Sequence, residues 1–153
     1  MMMPDTLFSD ALAKQPDLHQ KYKDIQDRLK DRYDLLPDQL ALIEKVSALS
    51  DFFYDYLLKD VSNAMVASGD LFNAYRAEEY TARAERLDQQ DLDQALRQYR
   101  NYEMARIIFR DFSRLADLVQ TTRDLSGLAD SCIEIALKFH YDKNVARFGQ
   151  PVD

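Results

Sequence analysis

The chain has 153 residues, 46% of them hydrophobic, with only 3 Gly, 4 Pro and 1 Cys. That length allows one domain burying roughly two-thirds of its unfolded surface, and the shortage of breakers beside plentiful Leu, Ala, Asp, Arg and Gln favours long helices with short connections. A net charge of −7 and a pI near 4.8, with Lys and Arg interleaved among acids, weigh against nonspecific nucleic-acid binding. No apolar run approaches the ~18 to 20 residues that cross a bilayer, and MMMPDTLFSD has neither the basic start nor the apolar centre of a signal peptide. The lone Cys132 excludes an internal disulfide and fits a reducing compartment, so a cytoplasmic protein without a membrane segment is expected.

In chain order, Pro4 to Lys14 reads as a short helix presenting Leu7, Phe8, Ala11 and Leu12, ended by Pro16. From Asp17, the stripe Leu18, Tyr22, Ile25, Leu29 and Tyr33 marks a charged helix that packs on one side. Pro37 suits the first turn of a third helix, where its missing N–H is no loss, with Leu42, Val46 and Leu49 as the stripe. Ser50 is placed to cap a fourth helix carrying Phe52, Phe53, Tyr56 and Leu57. A one-to-two-turn helix follows from Asp60 or Ser62 to Ala67, closed by Gly69 in the left-handed conformation. Asp70 then caps a helix over 71–87, and 88–91 turns into the next. After Phe112 the chain bends near Ser113 to Leu115, forms a short helix around Asp117 to Arg123, and enters a last long helix from Ser126 to about Phe148, stopped by Gly149 and Pro151. The stripe of that helix is Leu128, Cys132, Ile135 and Phe139, flanked by Ala129, Ile133 and Ala136. The expected fold is all-α: one compact bundle of about eight or nine helices over residues 1–153.

The stretch Leu96 to Asp111, LRQYRNYEMARIIFRD, is the most informative. At about 100° per residue, Leu92, Ala95, Leu96 and Tyr99 share one side of a helix, whereas Tyr102, Met104, Ala105, Ile108, Phe109 and Phe112 share roughly the opposite one. Glu103, Arg106 and Arg110 continue the first side, which makes them candidate structural or interface residues. Three arrangements fit them: a solvated stripe, an internal network including a Glu103 to Arg106 pair, or a surface facing another domain.

Other chemistry is poorly supported. Asp91-Leu92-Asp93 has the spacing of a metal-binding carboxylate pair, but Gln89-Gln90 precedes it instead of a glycine turn, and acids are favoured at a helix start by the dipole. His19 and His140 fall on different helices outside any two-ligand pattern, and Cys132 reads as an inert thiol. No Gly-rich phosphate loop exists. No catalytic, cofactor-binding or metal residue is therefore assigned.

LRQYRNYEMARIIFRD, followed by LADLVQTTRDLSGLADSCIEIAL and RFGQP, resembles the helical segment leading into the first nucleotidyltransferase domain of bacterial glutamine synthetase adenylyltransferase. Leu49-Ser50-Asp51-Phe52 and Ser68-Gly69-Asp70-Leu71 match two further signatures of that family, so the likeness runs from Val46 to Pro151. Val61 departs from it, standing where the family commonly has proline. The resemblance implies a parent enzyme that adds AMP to glutamine synthetase and removes it, using ATP and magnesium in nucleotidyltransferase domains. It implies as partners the chain's own nucleotidyltransferase domain, glutamine synthetase and a PII-type signalling protein. The chain is then an N-terminal helical fragment that stops short of the Gly-rich turn and paired aspartates, so it carries no catalytic residue of the family. The alternative is an independent helical interaction or regulatory module.

Overall fold

The computed structural model describes residues 6–152, and it is all helical: among these residues there are eight α-helices and one short 3-10 turn, with no strand. In order they are α1 (Thr6–Lys14), α2 (Pro16–Leu29), α3 (Pro37–Leu49), α4 (Asp51–Leu57), α5 (Ser62–Ala67), the 3-10 turn Asp70–Phe72, α6 (Ala77–Glu85), α7 (Leu92–Phe112) and α8 (Leu118–Phe148). Pro4 and Asp5, where the first helix was expected to begin, lie outside the described residues. The helices form two compact units, each assembled from two stretches of chain. The first takes the residues up to Asn73 together with Ala105–Asp117; the second takes Ala74–Met104 together with the chain from Leu118 onward.

In the first unit, proline starts helices more than it stops them. Pro16 does not merely end α1: one residue, Gln15, separates the helices, and Pro16 is the first residue of α2 with its φ already set for the helix. Ser50 both ends α3 and caps α4, its hydroxyl accepting the Phe53 N–H at 3.2 Å, as the sequence indicated. Gly69 closes the turn after α5 at φ 75°. The buried apolar residues of this unit include Ile25, Leu29, Ile43, Val46, Phe53, Leu57 and Met65, together with Phe109 of α7. The Phe109 ring is stacked on Phe53 at 5.5 Å between centroids and edge-on to Phe72 at 5.4 Å, pairs worth about 0.5–1.5 kcal/mol each beyond burial. Ile43, rather than Leu49, faces this core; Leu49 is exposed. Val61 has φ −60°, the value a proline there would take.

The second unit is organised by Tyr80 of α6. Its ring lies against Gly127 of α8, where an added Cβ would stand 2.8 Å from Tyr80 Cδ2. Its hydroxyl donates to Asp124 Oδ1 at 2.9 Å, and its main-chain carbonyl accepts the Tyr99 hydroxyl at 3.0 Å. Ala84, Leu92, Leu128 and Ile135 complete the buried apolar set.

Two expected elements differ in the structure. Residues 71–87 are not one helix: the 3-10 turn is followed by extended backbone at Asn73 and Arg76 before α6 begins, and Glu79 Oε1 accepts the Arg76 N–H at 3.0 Å to cap that start. At the far end, the two helices expected on either side of Ser126 are one unbroken helix of 31 residues. Glycine inside a helix costs about 1 kcal/mol relative to alanine, but at Gly127 it permits the Tyr80 contact, and packing decides. The bend expected near Ser113 to Leu115 is present, with Arg114 in the left-handed region at φ 63°.

Candidate functional site

Glu103, Arg106 and Arg110 lie on α7, and all three are buried: Glu103 and Arg106 are 0% exposed and Arg110 is 4% exposed. A solvated stripe is therefore not what the helix presents.

In the second unit, Glu103 Oε1 accepts a hydrogen bond from Arg83 Nη1 of α6 at 3.1 Å. The Arg83 guanidinium also lies over the Tyr75 ring, 4.4 Å from its centroid, and 5.7 Å from that of Tyr102. Stacking and ion pairing together fix a side chain that would otherwise be free to leave. Arg83 had no signal in the sequence, because its partner is a full element away and the local spacing on α6 is that of an ordinary charged helix.

In the first unit, the two arginines turn to main-chain carbonyls. Arg106 donates from Nε to the Asp70 carbonyl at 3.2 Å and from Nη2 to the Asn73 carbonyl. Arg110 donates from Nη1 to the Leu71 carbonyl at 3.3 Å and from Nη2 to the Leu115 carbonyl at 3.5 Å. Three of these four acceptors belong to 70–73, the segment where the expected helix is interrupted. A helix would direct those carbonyls at its own amides; here the guanidinium forks bond to them, the Asp70 carbonyl also accepting the Asn73 N–H at 3.3 Å, and an irregular segment acquires fixed partners.

A second polar cluster, absent from the sequence reading, sits in the second unit. The Tyr99 hydroxyl lies 3.1 Å from Ser131 Oγ, and Ser131 Oγ donates to the Leu128 carbonyl at 2.9 Å. Asp124, 1% exposed, accepts from Tyr80 and from Gln120 Nε2 at 3.2 Å on the same oxygen, Oδ1. Burial pushes the Tyr99 hydroxyl up to about 12, with the Ser131 hydrogen bond opposing and the Glu103 charge adding to the rise. Burial likewise raises the half-buried Cys132 thiol, against the pull of Arg100 and Ser131, which disfavours the reactive thiolate.

The remaining sequence candidates are dispersed. Asp91 and Asp93 are exposed on either side of buried Leu92 at the start of α7, and the Asp91 carbonyl accepts the Ala95 N–H at 3.0 Å as the helix begins. His19 and His140 are both exposed, on α2 and α8. Among the described residues no group of three or more His, Cys, Asp or Glu side chains could hold a metal ion.

What the arrangement does is hold helices and a loop in place, and comparison with known proteins gives that scaffold a family. The family described as Glutamate-ammonia ligase adenylyltransferase matches residues 40–153. The chain belongs to the glutamate-ammonia ligase adenylyltransferase family. Among its relatives, the bifunctional glutamine synthetase adenylyltransferase/adenylyl-removing enzyme of Pseudomonas aeruginosa is 34% identical over 115 residues, covering 71% of this chain and 12% of the relative. The enzyme of the same name from Pseudomonas putida is 35% identical over 117 residues with the same coverage, and that from Hahella chejuensis 41% identical over 80 residues, 52% of this chain and 8% of the relative. The matched part of the chain thus spans about an eighth of the length of the two Pseudomonas enzymes. No solved structure matches it. All three buried charges of α7 and the 70–73 segment fall inside the adenylyltransferase match, whereas α1 and α2 lie outside it.

Proposed function

We propose that this chain supplies a non-catalytic helical part of the enzyme that adenylylates and deadenylylates glutamine synthetase, and that it packs on the adenylyl-removing nucleotidyltransferase domain. The observation that carries this is the family match over residues 40–153, a stretch that is helical from α3 to α8. The buried arginines support it: they bond to main-chain carbonyls and so act on the chain's own shape. ATP and magnesium belong, on this reading, to nucleotidyltransferase domains outside residues 1–153, and glutamine synthetase and a PII-type protein are partners of the assembled enzyme.

The test is complementation. The Pseudomonas aeruginosa enzyme is prepared without the segment that matches this chain, and AMP release from adenylylated glutamine synthetase is measured with and without the purified chain. Restored release supports the reading. AMP release by the purified chain alone would overturn the non-catalytic role, and failure to bind or restore the shortened enzyme would favour an independent interaction module.

A further inference from the structure

Helices α1 and α2 are held loosely by the rest of the first unit. No residue of α1 is buried, and α2 buries only Ile25 and Leu29, whereas the shorter α4 buries Phe53, Tyr56 and Leu57. The Phe8 ring of α1 meets Tyr22 of α2 edge-on, 5.3 Å between centroids. Where α2 packs on α3 it covers a carboxylate: Glu44 is 8% exposed, and the Gln26 side chain of α2 hydrogen-bonds to it. The Tyr22 phenol also feels the Glu44 charge. Lys21, the cation of α2 nearest in sequence to these groups, pairs instead with Asp51 at the start of α4, and the Asp51 side chain is mostly in solvent. A buried carboxylate answered by a neutral amide is worse off than one in water, so covering Glu44 works against the docking of α2.

We propose that α1 and α2 open from α3 together, as a movable cover, while α3, α4 and α5 stay folded, and that the charge on Glu44 sets how often they do so. Opening exposes a face of α3 around Glu44, within the residues shared with the adenylyltransferases, whereas the cover lies outside them. Burial raises Glu44 above its usual 4.5, with the Gln26 hydrogen bond opposing. In the open form the carboxyl returns to water and to its usual value. Closure is therefore most favoured below pH 4.5 and is lost progressively as pH rises through the raised value of the closed form, levelling off beyond it. The Lys21 to Asp51 pair acts with the opposite sign, since protonating Asp51 releases Lys21. Tyr22, raised above 10.0 by burial and by Glu44, stays neutral throughout this range.

Native-state hydrogen exchange on the whole chain, corrected for the intrinsic rate of each amide, tests both parts. The amides of α1 and α2 should be roughly tenfold or more less protected than those of α3. Phe53→Leu weakens the stacking on Phe109, which open and closed forms share, so it should lower protection in α3 by roughly tenfold and leave α1 and α2 unchanged. Protection of α2 in the parent should fall between pH 4.5 and 7, and Glu44→Gln should abolish that fall and leave α2 better protected than the parent at pH 7. Equal protection of α2 and α3, or a fall in both with Phe53→Leu, would mean that the unit opens only as a whole and would overturn the cover. So would exchange confined to α1, which is fraying of an end. A pH dependence that survives Glu44→Gln would overturn the role given to its charge.

Discussion

Replacing Arg106 with alanine should cost the chain about 2–4 kcal/mol. The side chain is fully buried and makes two charge-assisted bonds, to the Asp70 and Asn73 carbonyls. Hydrogen bonds from charged groups contribute about 1.5–3 kcal/mol each. The estimate sits below the sum because Asn73 is exposed, so water recovers part of what its carbonyl loses. Arg106→Lys keeps the charge but not the planar fork, and it should lose about half as much. Urea unfolding with an unchanged slope measures the loss. Hydrogen exchange should show it concentrated in the amides of 70–76, because that segment loses its partners while the apolar core does not. A variant within about 1 kcal/mol of the parent, or protection lost uniformly, would refute the role assigned to the fork.

Arg83→Ala and Glu103→Ala should each destabilise, and the double variant should lose less than the two effects summed by about 1–2 kcal/mol, measured by a denaturant cycle; additive effects would mean that the 3.1 Å pair carries no coupling. Gly127→Ala should lower stability by about 1–2 kcal/mol although alanine is the better helix former, because the new methyl meets the Tyr80 ring, and Tyr80→Leu should relieve most of that loss. Tyr99 sets an alkaline limit: its hydroxyl is pushed up to about 12 while the unfolded chain ionises near 10. Its contribution is therefore complete below pH 10 and is lost as pH rises through about 12, and Tyr99→Phe should flatten that decline in a tyrosinate absorbance titration.

The helical periodicity carried most of the fold, since stripes such as Ile25 with Leu29 and Phe53 with Leu57 are local and survive any tertiary arrangement. It failed where a distant side chain overrode local preference. Nothing between Leu71 and Leu87 forbids a helix; the interruption at 73–76 depends on carbonyls claimed by Arg106, some thirty residues further along. Ser126 and Gly127 look like a break for the same reason in reverse, because the contact that rewards the glycine comes from Tyr80. In the candidate site, the odd charges at Glu103, Arg106 and Arg110 were visible as a departure from the apolar pattern, but Arg83 was not, since nothing on α6 marks one arginine above its neighbours.

Because each compact unit is assembled from two separated stretches, the order of synthesis matters. The first unit has its α1 to α5 early, yet Phe109, on which Phe53 stacks, leaves the ribosome only after α6 and most of α7 have been made. At about 5–20 residues per second that is a wait on the order of seconds, during which the nascent first unit shows apolar surface that its own later residues will cover. Premature termination within 74–104 would leave both units incomplete at once, so this part of the chain is made usefully as a whole or not at all.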